Sequence, residues 1–290
     1  ALLALPAAAE TRILLVGDSW AAFGYSWGSY DSAMAAKGLS EFGLDAGGAI
    51  GATTVENWAS DDPLEVYGTP AANGRTGREL ITDELAGSPT VDIVHISLGG
   101  NDFIGGVHDT MTREELDALY DGWVADLDVL VDHIHSISSE IKIGVCGYDF
   151  LNRTKDSWTR QEFNEELVRF SAKIRDYCLA TPNCDYIHNF GLMQYTYGDP
   201  PTYGPGEVPA PGAADTNYLP FPGGDTARAP VQMADVIHLN ADGFQTLFEN
   251  CIDQYYMKWL TPGVDSVIPK GLARTSSDTV AFLVTFTEPV

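Results

Sequence analysis

The sequence predicts an α/β fold: a mostly parallel sheet covered by helices on both faces, with a short β segment at the C-terminus. Three observations predict it. Short apolar runs alternate along the chain with long amphipathic helical patterns. Residues able to carry chemistry follow directly on the ends of two of those runs. After Pro262 the alternation stops, and a period-two pattern takes over. The chain's 290 residues are ample for one large domain, or for one domain with an appendage.

Residues 1–10 end an apolar run and then offer small residues at the positions of a cleavage site, so they read as the remnant of an export signal. An apolar N-terminal strand or arm is the competing reading. The expected compartment is secreted or periplasmic. No membrane span is expected, because no segment approaches the ~20 apolar residues that a spanning helix needs. Strands are expected at 12–16, 44–49, 93–98, 141–146 and 185–188. A helix opens at Thr112, whose hydroxyl caps it, and runs to about 138 with Leu116, Leu119, Trp123, Leu127, Leu130 and Ile134 on one stripe. A second runs from 159 to 179 through Phe163, Leu167, Phe170 and Ile174. Asn240 caps a third, 241–260.

Two stretches break the alternation. Residues 195–231 are rich in Pro and Gly and carry Tyr195, Tyr197, Tyr203, Tyr218 and Phe221. A structureless loop of that length is usually functional, and this one reads as a wall over a substrate pocket, with a passive surface insertion as the alternative. In the tail, Val280, Phe282, Val284 and Phe286 alternate. The tail resembles the opening strands of bacterial Ig-like repeats, and a terminal hairpin packed on the main domain competes with that reading. The expected division is therefore 1–10 signal remnant, 11–262 main domain, and 263–290 C-terminal β segment.

Asp and Glu number 41 against 16 Lys and Arg, a formal charge of -25. Such a field repels nucleic acid and anionic membrane surfaces, which excludes polyanion-binding classes. The acidity suits a surface solvated in salty water, and no acidic stretch has calcium-loop spacing. Of the four cysteines, Cys178 and Cys184 flank a short loop that an oxidising compartment would staple. Cys146 and Cys251 read as buried small hydrophobes without metal-ligand spacing to any histidine.

The chemistry centres on Gly17-Asp18-Ser19-Trp20, where a serine stands on a sharp turn behind the run Ile13 to Val16. A serine hydroxyl needs a base, an acid to orient that base, and donors for an oxyanion. Asp235 and His238 supply acid and base three residues apart. Asn101 supplies an amide just after the run 93–98, and Gly51 can add a backbone N–H. Gly24-Tyr25-Ser26-Trp27-Gly28 matches a nucleophile elbow, but that motif needs a strand directly before Ser26, and Trp20 to Phe23 leave no room for one. His95 reads as a hydrogen-bonded core residue. His108 and His188 have no acidic partner at useful spacing. Asp18 and Asp102 read as carboxylates that hold backbone N–H groups. Asp235 and His238 could ligate a metal, but no third ligand lies nearby in sequence, so no metal and no cofactor is expected.

These four blocks, in this order over residues 11 to 260, resemble the SGNH (GDSL-type) hydrolase family, which departs here only in having Trp20 where many members have Leu. The resemblance implies a flavodoxin-like three-layer α/β/α sandwich. It also implies Ser19 as nucleophile, His238 as general base and Asp235 as its orienter, with Ser19, Gly51 and Asn101 forming the oxyanion hole. Trp20, Tyr25, Trp27 and Tyr218 are the expected substrate-binding residues. The family spans lipases, arylesterases, thioesterases and carbohydrate O-acetylesterases. Export and the tail favour a small-molecule or polysaccharide ester, with an acetylated polysaccharide ahead of a phospholipid. A lysophospholipase-type activity and a non-catalytic binding protein on a hydrolase scaffold are the alternatives. The sequence is silent on oligomeric state.

Overall fold

The computed structural model describes residues 9–198, 201, 203–213, 232–261, 264–270 and 281–286. In chain order, β1 (Glu10–Gly17) leads through α1 (Ser19–Ser26) and α2 (Ser29–Ala36) to β2 (Phe42–Ala49). A short helix, α3 (Val55–Ala59), and a small hairpin, β3 (Glu65–Val66) with β4 (Thr69–Pro70), precede α4 (Gly77–Gly87) and β5 (Ile93–Ser97). Then follow α5 (Gly100–Gly106), α6 (Arg113–Ile137), β6 (Lys142–Cys146), α7 (Arg160–Ala180), β7 (Cys184–Ile187) and α8 (Leu192–Tyr197). The described chain closes with α9 (Ala241–Cys251), a π turn (Ile252–Tyr256), α10 (Met257–Leu260) and the antiparallel pair β8 (Val264–Lys270) and β9 (Ala281–Phe286).

The main sheet has the order β2-β1-β5-β6-β7, and every pairing in it is parallel. Parallel strands covered on both faces read as continuous apolar runs. Accordingly, Ile13, Leu14, Leu15 and Val16 are all fully buried, with no alternation. Helices α1, α2 and α9 pack on one another as one layer, and α6 gathers α3, α4 and α7 into the other. The chain winds outward from β1 to β2 and then returns to place β5 on the other side of β1. The crevice beyond the carboxyl ends of β1 and β5 is therefore the topological switch point, where open α/β sheets bind ligands.

Local signals explain the helix starts. Thr112 accepts from Glu115 N, and the Glu115 carboxylate accepts in return from Thr112 N; Thr159 and Glu162 repeat this reciprocal cap. Asn240 caps α9 by accepting from Gly243 N. The single helix expected over 241–260 is instead interrupted by the π turn, a wider turn that brings Tyr256 fully inside. The long loop begins later than expected, because residues 192–197 form α8. Both oxygens of the buried Asp149 accept from this helix's start, from Gly191 N and Met193 N. That cap comes from more than forty residues away and has no signature near Tyr195. Tyr203 is buried, whereas Tyr218 and Phe221 lie outside the described residues. Among the described residues no helix is long and apolar enough to cross a membrane.

Candidate active site

The site is assembled where β1 and β5 end. Gly17 lies so close to the neighbouring strand that a Cβ there would meet the Ser97 carbonyl oxygen at 2.5 Å. Asp18 then caps α1: its Oδ1 accepts from Trp20 N at 2.9 Å, and its Oδ2 accepts from the Tyr148 hydroxyl at 2.6 Å. Ser19 is consequently the first residue of α1, with its side chain half-buried at the positive end of the helix. Burial pushes the Asp18 carboxyl up to about 7, although Tyr148 and the Trp20 N–H both pull it down.

Ser19 Oγ lies 2.8 Å from His238 Nε2, and His238 Nδ1 lies 2.8 Å from Asp235 Oδ2. With Nδ1–H donating to the carboxylate, Nε2 is left to accept the serine proton. Asp235 Oδ1 is held in turn by the backbone N–H groups of Ile237 and His238, each at 2.7 Å. Partial burial pushes the Asp235 carboxyl up, but the hydrogen bonds from His238 and these N–H groups outweigh it, and the net shift is downward. Phe23 presents its ring edge-on to His238, with centroids 4.9 Å apart.

The loop after β2 brings Gly51 beside Ser19, so that a Cβ on Gly51 would sit 3.9 Å from Ser19 Cα. The backbone there is unusual: Ala52 has φ 65°, the left-handed region that a residue with a Cβ seldom adopts. Thr53 follows, fully buried, its hydroxyl donating to the Ile50 carbonyl and accepting from the Trp58 indole N–H. On the other side, Gly99 turns the chain at φ 104° into α5, and the Asn101 amide donates to the Thr53 carbonyl at 2.9 Å. Asp102 accepts from Val55 N at 2.9 Å, and burial pushes its carboxyl up to about 6. As the sequence suggested, Asp18 and Asp102 both hold backbone N–H groups.

A small cleft of about 10 Å³ opens beside Ser19, bordered by Asn101, Ile104, Tyr148, Leu151 and Ile237. Trp20 also borders it, but its ring is turned into the core, packed edge-on against Tyr148 and Phe244. Tyr25 and Trp27 are exposed, and Trp27 stacks on Phe23 at 5.1 Å. Ser26 is exposed at the far end of α1, where its hydroxyl donates to the Phe23 carbonyl. Sequence reasoning missed Tyr148, Thr53 and Phe23. Phe23 and Thr53 stood near recognised motifs, and Tyr148 did not. Spacing also hid the acidic partner of His108, which pairs with Asp156 at 3.0 Å from 48 residues away. Cys178 and Cys184, expected to be bridged, are unbonded in this structure, with sulfurs 3.3 Å apart, close enough to join on oxidation.

A serine at a strand end, hydrogen-bonded to a histidine that is hydrogen-bonded to a carboxylate, is the arrangement used by hydrolases that work through a serine nucleophile. Within that class, the sequence pattern of the GDSL-like lipase/acylhydrolase family matches residues 15–246, and the chain belongs to this family. Among solved structures, the chain is similar to Est24, a carbohydrate acetylesterase from Sinorhizobium meliloti, at 17% identity and a TM-score of 0.50 over 85% of this chain and 99% of that one. It is also similar to the native aryl esterase of M. smegmatis, at 15% identity and a TM-score of 0.49 over 85% and 99%. No curated protein matches the sequence. The Est24 likeness establishes the fold expected from the four blocks.

Proposed function

We propose that this family member is an exported serine esterase whose nucleophile is Ser19. The observation that carries the reading is the unbroken path from Ser19 Oγ to His238 to Asp235, with 2.8 Å at each step. His238 takes the proton of Ser19 as Oγ attacks the ester carbonyl, and Asp235 fixes the tautomer and balances the charge of the imidazolium. The oxyanion forms against the N–H groups of Ser19 and Gly51 and the second N–H of Asn101, at the positive end of α1. Loss of the alcohol leaves an acyl-enzyme, which water cleaves with His238 again as base.

A small acyl group is favoured by the buried Tyr148 and Leu151, which border the cleft beside Ser19. An acetyl ester fits this better than a fatty acyl ester, and Est24 is described as a carbohydrate acetylesterase. The exposed rings of Tyr25 and Trp27, on the same helix as Ser19 or just after it, would suit a sugar or aryl leaving group. Residues 264–270 and 281–286, which pair as β8 and β9, belong to a C-terminal β segment apart from the main domain.

The test is a chain-length series of aryl esters run beside acetylated xylan, with Ser19→Ala as control. kcat/KM should be highest for acetyl and fall steeply by butyryl. A maximum at octanoyl or longer rejects the acetylesterase reading, and activity that survives Ser19→Ala rejects the mechanism.

A further inference from the structure

Behind the catalytic crevice, between the sheet and α9, lies a buried group of side chains that ester hydrolysis does not use. His95 projects from β5, Cys146 ends β6, and Cys251 ends α9. Their exposures are 0%, 4% and 0%. One ligand atom from each lies within 4.8 Å of the other two, and the two sulfurs are 3.8 Å apart. Both thiols are free. Two thiolates bound to one ion at ~2.3 Å, with trigonal or tetrahedral angles, stand about 3.8–4.0 Å apart.

The surroundings are arranged to present these atoms. His95 Nδ1 is 2.7 Å from the Tyr256 hydroxyl, while Nε2 has no hydrogen-bond partner among the described residues. When the phenol oxygen accepts Nδ1–H, the Nε2 lone pair is left for a ligand, the outer-sphere arrangement typical of metal-bound histidine. Two features put that hydroxyl in place. The π turn carries Tyr256 inward, and Gly144 on β6 leaves the space it occupies, since a Cβ at 144 would meet the hydroxyl at 2.7 Å. On the sulfur side, the buried Asn189 donates to Cys146 Sγ at 3.2 Å and is itself oriented by a bond from Asn250 to its Oδ1. A donor to sulfur stabilises a thiolate over a thiol. The rings of Tyr30 and Phe248 complete an apolar shell around His95.

We propose that His95, Cys146 and Cys251 form a buried site for one soft metal ion, taking Cu(I) in preference to Zn(II). Two sulfurs and one imidazole nitrogen are a soft, three-donor set. Thiolates bind both Cu(I) and Zn(II), but structural Zn(II) almost always takes four ligands, whereas only three side chains meet here, closed off from water, a number that suits Cu(I). Binding displaces the two thiol protons and involves no change in oxidation state. The ion would tie β6 to the end of α9, the helix that begins directly after His238 and its cap Asn240.

Because the site is closed, loading is tested by refolding the full chain anaerobically with Cu(I), or separately with Zn(II), against a chromophoric chelator of known affinity. The double variant Cys178→Ala/Cys184→Ala removes the competing thiol pair. One Cu(I) per chain is expected, with a rise in Tm and at least 10-fold weaker Zn(II) retention relative to the chelator. Tyr256→Phe, which leaves all three ligands in place, should weaken Cu(I) about 10- to 100-fold. X-ray absorption on loaded protein needs no ligand variant, and should count two sulfurs and one nitrogen. Failure to retain Cu(I), a sulfur-only shell, or unchanged affinity in Tyr256→Phe overturns the site. So does a Cys146–Cys251 disulfide, found by non-reducing peptide mapping of protein recovered from an oxidising compartment. None of these readouts depends on the esterase reading.

Discussion

Asn101→Ala separates an oxyanion donor from a residue that merely shapes its loop. The Asn101 amide has two N–H groups, and one is committed to the Thr53 carbonyl at 2.9 Å, which fixes the amide plane. The second is free for the negative oxygen that develops beside Ser19. Losing one preorganised donor of this kind costs about 10²- to 10³-fold in kcat, or roughly 2.7–4 kcal/mol of transition-state stabilisation, with little change in KM. The same substitution strips the buried Thr53 of a partner, so the fold should also lose about 1–3 kcal/mol. Activity must therefore be compared at equal folded fraction, established by circular dichroism and urea melts. Steady-state hydrolysis of an aryl acetate then supplies kcat and KM. A folded variant with near-wild-type kcat would remove Asn101 from the oxyanion hole and leave it a brace for the Gly51 loop.

Ser19→Ala should abolish labelling by a fluorophosphonate probe, whereas Ser26→Ala should still label; the reverse pattern would move the nucleophile to the decoy motif. Asp18 has its folded value raised to about 7 from 3.8, so its contribution to stability is complete below about pH 4 and is lost as pH rises through 7. Asp18→Asn should therefore gain on the wild type by about 2–3 kcal/mol in urea melts between pH 5 and pH 8, and a pH-independent difference would show that Asp18 is not the titrating group. Protein recovered from an oxidising compartment should show two free thiols of four under denaturing, non-reducing conditions, because Cys178 and Cys184 join; four free thiols would refute the bridge.

What was legible in the sequence was whatever is written in neighbouring residues. Thr112 with Glu115, Thr159 with Glu162, and Asn240 with Gly243 are caps within one turn, and they set the helix starts. Asp235 and His238 are also one turn apart, so their contact could be read directly. Ser19 and Asn101 stood out because each follows an apolar run, and both lie at strand ends in the fold. Tyr148, which braces Asp18 from 130 residues away, and Thr53, which fixes Asn101 from 48 away, were not legible. Tyr148 belongs to no motif, Thr53 stands beside Gly51 without a chemistry of its own to mark it, and their partners are chosen by the β2-β1-β5-β6 strand order, which no local pattern encodes. The convergence of Cys146 and Cys251 from 105 residues apart was hidden for the same reason.

These two kinds of contact divide the site into a frame and a loop that fail differently. The frame is Ser19, Gly51 and Asn101, cross-braced by Tyr148 on Asp18, by Asn101 on Thr53 and by Asp102 on Val55 N; every brace spans separate elements at the switch point. The loop is self-contained. Asp235 holds His238 through side chain and backbone, Ala234 N bonds the His238 carbonyl at 3.0 Å, and Asn240 N bonds the Gln232 carbonyl at 2.8 Å. Among the described residues, its anchorage to α9, the buried Leu239, the packing of Met233 and Ile237 on the core and the contact with Phe23 set where the imidazole sits over Ser19. A defect in the frame should therefore lower stability and kcat together. A loosening of α9 should leave each catalytic group intact yet displace His238 from Ser19, and a displacement of 1 Å is enough to cost about 100-fold in rate. The tie between the end of α9 and β6 through Cys251 and Cys146 lies on that second route, which is why occupancy at the buried cluster should register in kcat through the position of His238.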